Sequence, residues 1–203
     1  MGERLSARAR ISGLAVAVLL AATAVSQARA AAGAPSVPQA TVTGTVTVDN
    51  APFTGGAIPY GSTVDVTLGS VTMKTSVGTL RAAGTGRVTA AFVLLQTSVE
   101  GKPYVELRLA GGNFGVCPKP RTAGAGGTAP TTTVVRALWG NGKGNFQTRG
   151  RFAAATVLGT HWLTDDRCDG TWTKVVAGVV QITDFVNHST VAVPAGHTFL
   201  VRP

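Results

Sequence analysis

Two stretches of this chain and three scattered histidines hold residue types that could do chemistry. Asp165-Asp166-Arg167-Cys168-Asp169-Gly170 places three carboxylates within five residues, the kind of oxygen cluster calcium uses. It lacks the alternating ligand spacing and distal Glu of an EF-hand loop, and Arg167 adds opposing charge, so it is read as a polar turn. Trp139-Gly140-Asn141-Gly142-Lys143-Gly144-Asn145-Phe146 invites a phosphate-loop reading. That reading fails in detail: Gly144 stands where a P-loop has the magnesium-holding Ser or Thr, and Ala137 stands where the upstream Gly belongs. A glycine-rich hairpin capped by Trp139 and Phe146 is expected instead, with Lys143 at its tip. His161, His188 and His197 have no partner at metal-ligand spacing, and no G-x-S-x-G elbow or Cys-His pairing is present. No catalytic residue, metal ligand or cofactor is therefore expected. A secreted hydrolase stays as an alternative, since the paired acids of glycoside cleavage need only meet in space.

Charge gives a second lead. The chain has 203 residues and a formal charge of +9, with 18 Lys and Arg against 9 Asp and Glu. No acid lies between Glu106 and Asp165, yet Arg108, Lys119, Arg121, Arg136, Lys143, Arg149 and Arg151 do. Arg136, Lys143, Arg149 and Arg151 are the candidate anion-contact residues, and an anionic envelope polymer or a protein is the expected partner. Strand alternation would put Arg149 and Arg151 on one face and Phe152 on the other, which favours a charged surface over a base-stacking platform, so no nucleic acid is expected.

The compartment follows from the N-terminus and the cysteines. Arg4, Arg8 and Arg10 precede an apolar stretch from Ile11 to Val25, and Ala28-Arg29-Ala30 supplies small residues at a cleavage site. Residues 1–30 read as a secretory signal; the apolar stretch is short of the roughly 20 residues a membrane span needs. Its removal takes away four Arg and one Glu and lowers the formal charge to +6. Cys117 and Cys168, the only two cysteines, are expected to form one disulfide in an oxidising compartment. Arg-rich, Lys-poor usage suggests a bacterial, GC-rich source.

The elements that must position these residues are strands. After a flexible stretch over 31–40, period-two alternation runs through Thr41–Val48, Thr63–Leu68, Val71–Thr75, Val88–Gln96 and Tyr104–Leu109. Gly69, Gly78, Gly84, Gly86 and Gly101-Lys102-Pro103 read as turns. A Pro/Gly/Thr-rich loop is expected at about 118–133. Strands follow near Thr132–Leu138, Phe146–Arg149, Phe152–Leu158, His161–Thr164, Thr171–Ala177, Val179–Phe185, Thr190–Val193 and Thr198–Val201. With no helical periodicity after the signal, the expectation is one all-β domain over 41–203, a sandwich, roll or short β-solenoid.

Ala155-Thr156-Val157-Leu158-Gly159-Thr160, then Thr171-Trp172-Thr173-Lys174-Val175-Val176-Ala177-Gly178-Val179-Val180, then Val191-Ala192-Val193-Pro194-Ala195-Gly196 stand in series. This resembles the FecR-like domain, with its V-x-G-T strand start, turn, T-x-V-x-x-G-x-V hairpin and closing V-x-L-x-A-G strand, over about residues 57–201 and most strongly over 150–201. The resemblance implies an extracytoplasmic, non-catalytic β domain with no catalytic residues to carry over. Some relatives sense signals for a sigma factor, but they retain a membrane helix and a cytoplasmic segment, neither of which is expected here after cleavage. The leading expectation is an exported, non-enzymatic binding or structural module at the cell envelope. A signal-sensing component that acts with a separate membrane regulator is the alternative.

Overall fold

Val and Thr alternate along most of the chain because each strand has one face on a core and one face on water. The computed structural model describes residues 37–118 and 131–203. The expected signal peptide, and residues 119–130 of the expected loop, lie outside the described residues. The strands are β1 (Gln39–Val48), β2 (Ala51–Pro52), β3 (Gly56–Ala57), β4 (Thr63–Thr75), β5 (Gly78–Ala83), β6 (Ala91–Val99), β7 (Lys102–Ala110), β8 (Val134–Arg149), β9 (Ala153–Arg167), β10 (Gly170–Ala177), β11 (Val179–Asp184), β12 (Ser189–Pro194) and β13 (Thr198–Val201), with a single 3-10 turn at Phe114–Val116. The fold is all-β, and the strands form one hydrogen-bonded sheet of 13. No described helix is long and apolar enough to cross a membrane.

The sheet divides and rejoins. One edge of β4 pairs with β6 through its first residues and with β5 through its last. β6 pairs with β7, β7 runs parallel to the last residues of β8 (Phe146 to Arg149), and β5 pairs with the middle of β8 (Trp139 to Gly144). Hydrogen bonding thus passes from β4 through β6, β7, β8 and β5 back to β4, a closed five-stranded ring. Val64, Val71, Met73, Leu80, Phe92, Leu94, Leu107, Leu138 and Phe146 are fully buried in the core that it encloses.

β8 and β9 continue as a long antiparallel pair, and β10 with β11 forms one line along the other edge of β9. β12 and β13 line up in turn along β11 and β10. Gly178, expected to turn a hairpin, instead bends this line: its φ is +78, and a Cβ there would lie 2.7 Å from the Gly159 carbonyl oxygen.

Several sequence boundaries move for a common reason. The separate strands expected at 63–68 and 71–75 are one strand through Gly69, and 132–138 and 146–149 are one strand through the glycines between them. The glycine-rich hairpin expected at Trp139–Phe146 is therefore corrected: these residues lie inside β8. The glycines are there for close packing. A Cβ on Gly140 would lie 2.4 Å from the Trp162 ring, and one on Gly144, whose φ is +127, would lie 2.1 Å from the Val77 carbonyl oxygen. Likewise Asp165 and Asp166 belong to β9, not to a turn, which is confined to Cys168 and Asp169 between β9 and β10. β1 starts at Gln39, where its pairing with β3 and β4 begins, two residues before the expected boundary.

Candidate functional site

Pleating assigns each side chain of the β1–β4–β5–β8–β9–β10 region to one of two faces. Trp162, Leu80, Ala82, Met73 and Val175 point into the core. The cross-strand registers place the opposite, outward rows. One row runs Gln39, Lys74, Thr79, Lys143, Gly159. The next runs Thr41, Thr72, Arg81, Asn141, His161. A third runs Thr43, Ser70, Ala83, Trp139, Leu163, Lys174, Thr198. The last is Ala137, Asp165, Trp172, Leu200. The first three rows each carry one or two cations, set among Thr, Asn and aromatic side chains.

Lys74, Arg81, Lys143 and Lys174 are exposed on this face. Lys74 and Lys143 both flank Thr79, so they sit two strands apart, about 10 Å at ordinary strand spacing. Arg81 steadies its guanidinium with a 3.0 Å hydrogen bond from Nη2 to Ser70 Oγ. The ion pairs among the described residues are Arg108–Glu106, Arg136–Asp166 and Arg167–Asp169, none of which uses these four cations. Trp139 stands between them, with its ring 5.0 Å from that of His161 at 45°. Trp172 carries the Arg167 guanidinium 5.7 Å from its centroid.

The four cations chosen from sequence do not share this surface. Only Lys143 is on it. Arg136 joins the fully buried Asp166, with Nη2 at 2.7 Å and Nε at 2.8 Å, and is itself 11% exposed. Asp166 also accepts the Thr171 hydroxyl at 2.5 Å and the Arg151 backbone N–H at 3.0 Å. Phe114 lies between two guanidinium groups, that of Arg136 at 5.3 Å and that of Arg151 at 4.4 Å. Arg149 covers Phe185 at 4.2 Å. Three of the four are thus engaged with aromatic rings, and Arg136 holds a structural charge.

Cys117 and Cys168 form the expected disulfide, which ties the Phe114–Val116 turn to the β9–β10 turn beside this cluster. Of the three clustered carboxylates, Asp166 is committed to Arg136 and Asp169 to Arg167. Asp165 is left. It is 6% exposed, and its Oδ1 has no hydrogen-bond partner among the described residues. Burial pushes its pKa up to about 6, against the opposing pull of Arg167 and with a smaller push from Asp166. With Trp139, Leu163, Ala137, Val134, Val88 and Arg87 it lines a cleft of about 510 Å³ at the end of the cationic face.

The chain matches no family model, no curated protein and no solved structure in such comparisons. Lys74, Arg81, Lys174 and Trp172 were not singled out as site residues by the sequence pattern, and Asp165 stood out only as one of three clustered acids read as a polar turn. Alternation does give Lys74 and Arg81 their outward parity, but the register that brings them beside Lys143 passes through β5, whose Gly78 and Gly84 read as turns.

Proposed function

We propose that the protein is an exported, non-enzymatic binding module that holds an anionic polymer of the cell envelope across the outward face of β4, β5, β8, β9 and β10. The observation carrying this reading is the set of four exposed cations, Lys74, Arg81, Lys143 and Lys174, free of ion pairs among the described residues and set in rows with Trp139 and His161. A sheet built on this closed ring is rigid, so binding would order little backbone and the opposing entropy would be small. Thr and Asn hydroxyl and amide groups between the cations suit the hydroxyls of a polyol or glycan backbone, and the aromatic rings suit its C–H faces. The formed disulfide supports an oxidising compartment. The resemblance to the FecR-like domain supports the same compartment.

The test is equilibrium binding of poly(glycerol phosphate) and polygalacturonate to the purified protein over a range of salt. Exposed charge contacts are each worth about 0.2–1 kcal/mol, so reversal of one cation should weaken binding several-fold. Affinity should fall steadily as salt shortens the screening length. Binding that ignores salt, or no binding to either polymer, would refute the proposal.

A further inference from the structure

Asp165 has no structural task that explains its position. A buried carboxylate normally sits against a cation or several donors, as Asp166 and Asp169 do in the same strand and turn. Asp165 instead keeps Oδ1 without a hydrogen-bond partner among the described residues while its residue is 6% exposed. It lies on the outward side of β9, opposite Ala137 of β8 and Trp172 of β10, so the core cannot satisfy it. The space it meets is the cleft of about 510 Å³ between β8–β9 and the Gly84–Val88 connection. Asp165 and Ala137, 6% and 2% exposed, are the most buried of the cleft's lining residues, and Val88, Val134, Leu163 and the Trp139 ring give it apolar walls.

We infer that this cleft is a second binding site, one that takes an organic ammonium group, with the charge set against Asp165 and the carbon body set against Trp139, Leu163 and Val134. A carboxylate at the base of an apolar recess beside an aromatic ring meets both demands of such a ligand. The charge-assisted N–H···O⁻ bond supplies the partner that Oδ1 lacks, and the ring face attracts the cation. The raised pKa of Asp165 fits a carboxylate whose desolvation a bound cation would relieve. Arg87 also lines the cleft, but it is exposed, so water screens its repulsion while the charge of Asp165 is sheltered. His161 braces the Trp139 ring, which keeps that wall in place for the ligand.

The test uses the full chain at pH 7.5, titrated with benzylamine and with benzyl alcohol and followed by amide NMR shifts at residues 137–139 and 163–165. Benzylamine should bind saturably at these positions, and benzyl alcohol, with the same ring and no charge, about tenfold more weakly or worse. Asp165→Asn should remove the preference for the amine, whereas Lys143→Glu, outside the cleft, should leave it within about twofold, so that failure here is separable from failure of polymer binding. The ligand comparison needs no variant, so it stands even if Asp165→Asn misfolds. Equal affinity for amine and alcohol, shifts that map elsewhere, or an unchanged preference in Asp165→Asn would overturn the inference.

Discussion

Replacing Asp165 with Asn should make the protein more stable at neutral pH and less stable in acid. The folded pKa of about 6 stands above the ordinary value of 3.8. Between these values the folded state holds a proton that the unfolded chain has released, so stability falls as pH rises from about 4 to about 6 and then levels off. A shift of about two units corresponds to about 3 kcal/mol, which the folded protein forfeits above pH 7 by keeping this carboxylate ionised. Asn keeps the shape but buries an imperfectly bonded amide, costing about 1–2 kcal/mol. The variant should therefore gain about 1–2 kcal/mol at pH 8 and lose about 0.5–1.5 kcal/mol near pH 4, with the two curves crossing between about pH 4.5 and 5.5. Urea unfolding of both proteins at half-unit intervals from pH 4 to 8 measures the difference, in which every other titrating group cancels. Parallel stability curves across that window would show that Asp165 titrates normally, and the argument for a ligand-seeking carboxylate would fail with them.

Three other substitutions separate structure from function. Gly140→Ala should cost about 1–3 kcal/mol, because its Cβ would fall 2.4 Å from the Trp162 ring, and a double variant with Trp162→Phe should recover part of it in thermal melts. Removing the Cys117–Cys168 bridge, with its sequence separation of 51, should cost about 4 kcal/mol on the chain-entropy account, read as a lower urea midpoint for the double Ser variant than for the oxidised protein. Arg136→Ala should lose about 3–5 kcal/mol by stranding the buried charge of Asp166, while polymer affinity, measured below the melting range, should stay unchanged.

The strand content was legible because Val and Thr alternation survives in nearly every element, and the disulfide because only two cysteines exist. What stayed hidden was register. β5 is six residues between Gly78 and Ala83, too short and too glycine-bounded to read as a strand, yet it closes the ring and aligns Lys74, Arg81 and Lys143. Glycines misled in the same way along β8: their spacing looked like a hairpin, while the close approach of Trp162 and of β5 that requires them is a tertiary fact. The charge run from Arg108 to Arg151 was real as composition. In space Arg136 turns to Asp166, Arg149 and Arg151 lie over aromatic rings, and Lys143 joins cations from strands far away in sequence. Asp165 was visible only as one of three acids, since parity along β9 does not tell which of two adjacent carboxylates finds an arginine.

The most direct test of the account sets two groups of charges against each other. Affinity for poly(glycerol phosphate) should be measured at low salt for the Lys74→Glu/Lys143→Glu variant and for the Arg149→Glu/Arg151→Glu variant, with folding verified for both. If the sheet face is the binding surface, the first variant should lose at least about tenfold in affinity and most of its salt dependence, and the second should bind within about threefold of the unaltered protein. Loss in the second variant with binding intact in the first would place the contact on the basic segment of the sequence and contradict the account.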